Sequence, residues 1–158
     1  MPFHSFFMWC DGTALAQAIR DSRFLFPIIE SIHILALAVL LGTVIMVSLR
    51  LLGFGLTQRP VSDVYRTLSG LRNGALVTML ITGSMLFCSE AAKCYDNPPF
   101  WAKMMTLAAA VVFQYTVVRS TSNKPPLSLG RLRTVTAASL SLFLWFGVGA
   151  AGRAIVFY

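Results

Sequence analysis

Pro27-Ile28-Ile29-Glu30-Ser31-Ile32-His33-Ile34-Leu35-Ala36-Leu37-Ala38-Val39-Leu40-Leu41-Gly42-Thr43-Val44-Ile45-Met46-Val47-Ser48-Leu49-Arg50 is the stretch on which the fold turns. Before Arg50 closes it, Glu30 and His33 are its only ionisable side chains. The apolar run never alternates in a way that would leave one face wet. A bilayer core takes roughly 20 apolar helical residues to cross, so this stretch reads as a transmembrane helix starting near Phe24 or Pro27.

Three further runs of the same kind follow. With the first they predict spans at about 25–49, 73–89, 99–118 and 134–152. Pro27, Pro98 and Pro99 stand near helix starts, where a missing amide donor costs least. Gly53, Gly55 and Pro60 punctuate the exit from the first span, and Pro125 and Pro126 the connection between the last two. Of the 158 residues, 56% are hydrophobic and 12% charged, where a soluble domain carries about a quarter charged residues. The fold class is an all-α membrane protein, a four-transmembrane-helix bundle in one domain (1–158).

The net charge of +7 does not point to nucleic acid, because the basic residues are scattered between apolar spans without a basic stripe. They set orientation instead. Arg50, Arg59, Arg66, Arg72, Arg119, Lys124, Arg131 and Arg133 fall on one side of the predicted spans, and Arg20, Arg23, Lys93, Lys103 and Arg153 on the other. The richer side is expected in the cytoplasm, which places both termini in the periplasm and the chain in a bacterial inner membrane. The first residues lack the basic region and cleavage site of a secretory signal and are expected to be retained. Asp11-Gly12-Thr13 can cap a short interfacial helix over Ala14 to Asp21, with Leu15, Ala18 and Ile19 as its apolar face. Val61, Val64 and Leu68 suggest a similar piece in the cytoplasmic loop. Small residues mark close helix approach: Ala38, Gly42, Thr78, Thr82, Gly83, Ala108 to Ala110, Gly147, Gly149 and Ala151.

An ionisable group inside a span is expensive and calls for a reason. Glu30 and His33 share a helix face at i and i+3, one to two turns inside the outer boundary. Arg153, Glu90 and Lys103 gather at the same end, which makes it the candidate site. Under a purely structural reading, Glu30 pairs with Arg153 or Lys103 and His33 bonds across helices. Under a cofactor reading, His33 is an axial ligand of haem b, Arg153 or Lys103 neutralises propionates, Glu30 orients the ring, and Met85, Met104, Met105 or His4 supplies the second axial group. Under a copper reading, His4, Met8 and Cys10 cluster outside with Met85, Cys88 and Cys94 near them, and together with His33 they offer soft donors for Cu(I). Cys10, Cys88 and Cys94 all lie towards the outer side, with free thiols favoured over a bridge from Cys94 to Cys88 or Cys10. No phosphate loop, nucleophile elbow or repeated Glu-x-x-His site is visible, and no catalytic residue is assigned.

Glu30-Ser31-Ile32-His33-Ile34-Leu35, Leu49-Arg50-Leu51-Leu52-Gly53, Asn97-Pro98-Pro99-Phe100 with Lys103-Met104, and Gly152-Arg153-Ala154-Ile155 with Tyr158 follow in order. Together they resemble an uncharacterised family of small four-span bacterial membrane proteins, distantly like the group of the copper-resistance protein CopD and the cytochrome-b-like proteins. Asp often stands in that family where this chain has Ser48. The resemblance implies a redox-linked or copper-linked inner-membrane protein. The thin loops add an expectation: a non-catalytic subunit of a larger membrane or periplasmic redox complex, surrounded by lipid and packed against other subunits or a second copy. A copper-handling protein and a small transporter are the alternatives.

Overall fold

The computed structural model describes residues 2–55, 58–123 and 130–157. Lys124, the Pro125–Pro126 break and Tyr158 lie outside the described residues. Among these the chain is helical and without strands. In order it forms α1 (Pro2–Asp11), α2 (Ala14–Asp21), α3 (Leu25–Leu52), α4 (Val61–Ser89), α5 (Ala91–Tyr95), α6 (Pro98–Ser122) and α7 (Arg131–Ala154). A short 3-10 turn, Ile155–Phe157, follows α7.

α3, α4, α6 and α7 are each long and apolar enough to cross a membrane, with 28, 29, 25 and 24 residues. At 1.5 Å per residue they run between about 36 and 44 Å, more than the ~30 Å hydrocarbon core. The chain is a multi-pass membrane protein. α1, α2, α5 and the turn after α7 gather at one end, the terminal end; the other carries most of the arginines and is the basic end.

The excess length lies mainly at the basic end. The expected second span and the separate piece around Val61 to Leu68 form one helix, α4, because Val64 and Tyr65 are buried with Val47 and Leu51 of α3 and Ala138 of α7. Packing thus holds as helix what hydropathy alone assigned to a loop. Arg72, read as a boundary charge, is consequently enclosed within α4 and only 2% exposed.

Local signals terminate the helices where the sequence motifs stand. α3 ends at Gly53, whose φ of 90° suits a residue without Cβ. The Gly53 amide donates to Arg50 O at 3.2 Å and the Phe54 amide to Leu49 O at 2.8 Å, the paired bonds of a Schellman stop. α6 starts at Asn97, whose Oδ1 accepts from the Phe100 amide at 3.2 Å, while its Nδ2 donates to Ile155 O at 3.2 Å. One side chain therefore caps α6 and ties it to the end of α7.

α2 spans the expected residues, and the Thr13 side chain caps it. The buried face is Ala16 and Ile19, however, while Leu15 and Ala18 are exposed. α2 packs on α4 through that narrower strip, so the tertiary contact and not the widest apolar arc chose its orientation.

α3 is the central helix, packed against α4 and α7, and α6 packs on α7. Leu40, Val44, Ala75, Leu76, Met79, Ala110, Trp145 and Val148 fill the middle of the bundle with Ala36. Not every small residue marks a contact: a Cβ on Gly42 or Gly149 would meet nothing within 4 Å. The close approaches run through Ala36, Ala75 and Ala110, and through Gly83 and Gly147. Midway along α6 the ladder widens into a π-helical turn, Gln114–Val118. There the buried Gln114 accepts from Ser141 at 3.4 Å.

Candidate functional site

Because α4 packs on α3 while α6 packs on α7, α4 and α6 face each other across a seam. At the terminal end this seam opens into a cavity of about 630 Å³, within the usual range of small-molecule sites. Met79, Leu80, Gly83, Ser84 and Phe87 of α4 form one wall; Phe100, Trp101, Lys103, Met104 and Leu107 of α6 form the other. Phe6 and Phe7 of α1 close it from above, and His33 of α3 reaches it from behind.

Aromatic packing and one arginine hold this enclosure together. Phe87 and Phe100 stack at 5.4 Å, and Phe7 meets Phe87 edge-on at 5.1 Å and Tyr95 at 5.5 Å. Such pairs add about 0.5–1.5 kcal/mol each beyond their burial. The Arg20 guanidinium on α2 donates to Asp11 Oδ1 at 2.9 Å, to Asp11 O at 2.7 Å and to Ser89 O at 3.1 Å. It thereby ties the ends of α1 and α4 to α2.

Besides Ser84, two polar groups stand out in the largely apolar wall. His33 Nδ1 lies 2.9 Å from Thr82 Oγ1, and Thr82 gives its own proton to Thr78 O at 2.7 Å. With that hydroxyl proton committed, Nδ1 is assigned as the donor, and the lone pair of the neutral ring falls on Nε2. Gly83 admits the ring: a Cβ there would sit 3.1 Å from His33 Cε1. Lys103, half-buried, is in neither of the two ion pairs among the described residues, Arg20–Asp11 and Lys93–Glu90. Its chain runs beside Gly152, where a Cβ would lie 3.6 Å from Cε and from Nζ. An imidazole lone pair can ligate a metal or accept a proton, and an ammonium can receive a carboxylate or phosphate.

The structure brings His33, Lys103 and Met104 to this cavity and leaves the other sequence candidates elsewhere. Glu30 is exposed on the outside of α3 and enters neither ion pair. Arg153 is exposed, with its guanidinium 5.9 Å from the Phe157 ring centre. Met85 is half-buried but does not line the cavity, and Met105 points outward, 73% exposed.

His4 is exposed with its ring edge-on to Tyr95 at 5.1 Å, and Met8 is exposed on the same face of α1. Cys10 is on the opposite side of that helix, since two residues advance about 200°. It is buried in the cluster against which Cys88 packs. His4, Met8, Cys10 and His33 therefore do not converge. No group of three or more His, Cys, Asp or Glu side chains that could hold a metal occurs among the described residues.

The three thiols share one cluster with Phe7, Phe87 and Phe100. Burial pushes Cys94 up to about 11, with the Glu90 carboxylate adding to the rise. Burial also raises Cys10, followed by its Cys88 neighbour. All three are free cysteines.

Sequence reasoning missed the cavity-lining role of Met79, Phe87, Phe100 and Trp101. It also read Thr82 and Gly83 as packing residues only. The available signal was the i, i+4 spacing of Met79, Gly83 and Phe87, which puts a small residue between two bulky ones on one face.

The chain belongs to a family of unknown function, DUF6644, whose model matches residues 6–158. No curated protein and no solved structure matches it significantly.

Proposed function

We propose that this member of the family is a non-catalytic subunit of a membrane or periplasmic redox complex, and that it holds haem b in the cavity between α4 and α6. One observation carries the reading. A cavity of about 630 Å³, aromatic and aliphatic apart from Ser84, contains a single imidazole, oriented through Thr82, and a single ammonium, Lys103. A flat apolar cofactor with an acidic edge matches that distribution. His33 Nε2 and the thioether of Met79 or Met104 would hold the iron, and Lys103 would neutralise a propionate. Bound haem would supply one-electron transfer. The chain's own residues orient the imidazole, exclude water through Phe7, Phe87 and Phe100, and counter the acidic edge.

The surplus of Lys and Arg at the basic end supports an inner-membrane orientation with both termini periplasmic, which sets the cavity in the outer leaflet. The resemblance to the CopD and cytochrome-b-like group supports a redox role. So do the short connections, which give the chain little surface for substrate chemistry of its own.

The test is the absorption spectrum of the purified protein, taken with a metal analysis. A Soret band is expected in the parent and lost in His33→Ala. Lys103→Gln should retain the band with weaker haem affinity. Parent protein free of haem sinks the proposal. The second reading is copper, favoured by the gathering of Cys10, Cys88 and Cys94 in one cluster at the same end. It predicts Cu(I) in the metal analysis, no Soret band, and loss of the metal in Cys88→Ser.

A further inference from the structure

The seam between α4 and α6 has a second opening at the basic end, chemically opposite to the first. There a pocket of about 450 Å³ is lined by Arg66, Arg72, Arg119, Tyr65, Tyr115 and Asn73, among other polar residues. Asp63 is the one carboxylate in the lining, against three guanidinium groups.

Arg72 is the unusual member. It is 2% exposed, and its Nε and Nη1 are buried without a hydrogen-bond partner. No carboxylate pairs with it among the described residues. Its guanidinium lies 4.3 Å from the Tyr65 ring centre and 5.7 Å from that of Tyr115. Such stacking holds the plane of the fork and leaves its edge donors free. Tyr115 in turn is fixed by donating to Asn73 Oδ1 at 2.7 Å. Buried charges are almost always paired, because leaving one unpaired costs several kcal/mol. A rigid, enclosed guanidinium with open donors, flanked by two more, is therefore a built anion site.

Depth narrows the anion. Arg72 lies 17 residues before the end of α4 at Ser89, about 25 Å along the helix axis. That places it about one turn inside the boundary of a ~30 Å hydrocarbon core, and Arg66 of the same pocket lies about 9 Å further out along the helix, towards the lipid phosphates. Basic pockets between helices at that level take phosphate head groups, and guanidinium forks match phosphate oxygens in pairs.

We propose that the pocket around Arg72 binds one phosphate group, of an acidic lipid or of a soluble phosphate monoester reaching the basic end. The site is separate from the haem reading and stands or falls without it.

The delipidated protein in neutral detergent is offered phosphatidylglycerol, with retention read by native mass spectrometry, and glycerol 3-phosphate, with binding read as a thermal shift. Retention of the lipid identifies the membrane source and stabilisation by the monoester the soluble source; either supports the site. Arg72→Lys keeps the charge and loses the fork, and at least tenfold weaker binding is expected. Should Arg72 variants fail to fold, the exposed pair Arg66→Gln with Arg119→Gln should weaken binding by the same order at the parent's thermal stability. Arg133→Gln, at the same end outside the pocket, should bind as the parent does. Failure of both probes to bind, or an Arg133→Gln loss equal to that of the pocket variants, overturns the proposal.

Discussion

Replacing Gly83 by Ala tests whether the His33 ring is held against α4 as the structure shows. The added Cβ would lie 3.1 Å from His33 Cε1 and 3.6 Å from Nδ1. Non-bonded carbons settle at about 3.5–4.0 Å, so the ring must retreat by roughly half an ångström from the helix that also carries Thr82. Forced overpacking costs about 1–3 kcal/mol, and a weakened interhelical hydrogen bond in a membrane adds ~0.6 kcal/mol. Against this, Ala gains about 1 kcal/mol over Gly in a helix. The net expectation is a loss of about 1–2 kcal/mol.

Gly74→Ala on the same helix is the control, because a Cβ there meets nothing within 4 Å. It should collect the helix gain alone, so the two variants should separate by several degrees in a thermal unfolding scan in detergent, at about 2–4 °C per kcal/mol. Repeating Gly83→Ala in a His33→Ala background removes the collision, and there the substitution should be neutral or stabilising. Equal shifts for Gly74→Ala and Gly83→Ala, or a penalty that persists without His33, would refute the placement of the ring.

Asn97→Ala removes both the cap of α6 and the link to Ile155, so thermal stability should drop by more than the ~1 kcal/mol of a cap alone. Asn97→Asp keeps the accepting oxygen and should lose only the Ile155 part; equal losses would refute the double role. Cys94 should resist alkylation in the folded protein at pH 8.5 on the order of a hundred-fold relative to an ordinary thiol, because its thiolate appears only near 11. The sign for stability follows: above about 8.5 the unfolded chain releases this proton and the folded one keeps it, so stability falls as pH rises from about 8.5 towards 11. Rapid labelling of Cys94 at pH 8.5, checked by mass spectrometry of the peptide, would count against its burial. A reporter active only in the periplasm should work when fused after Tyr158 and be silent at Pro126; the reverse pattern would invert both ends of the bundle.

The four long apolar helices and several of their local stops were legible in the sequence. Each depends on physics that acts along a single segment. A run such as Pro27 to Leu49 has no stable alternative to a helix in a bilayer, since every backbone polar group must be satisfied within it. Gly53 and Asn97 end and start helices through bonds that span three to five positions, so their motifs were readable in one dimension. The candidate end was also legible, because ionisable residues at similar span depths must gather at one level.

Which of those residues face inward depended on how the helices pack. Glu30 and His33 share a helix face in sequence, yet α4 covers His33 and leaves Glu30 outside, since three residues advance about 300° and the edge of a neighbouring helix falls between them. The cavity depends on how α4 and α6 diverge, which no single segment encodes. Arg72 is the clearest instance. In sequence it is one more basic residue setting orientation; in the fold, the burial of Val64 and Tyr65 extends α4 past it, and Tyr115, from 43 positions away, closes over its guanidinium.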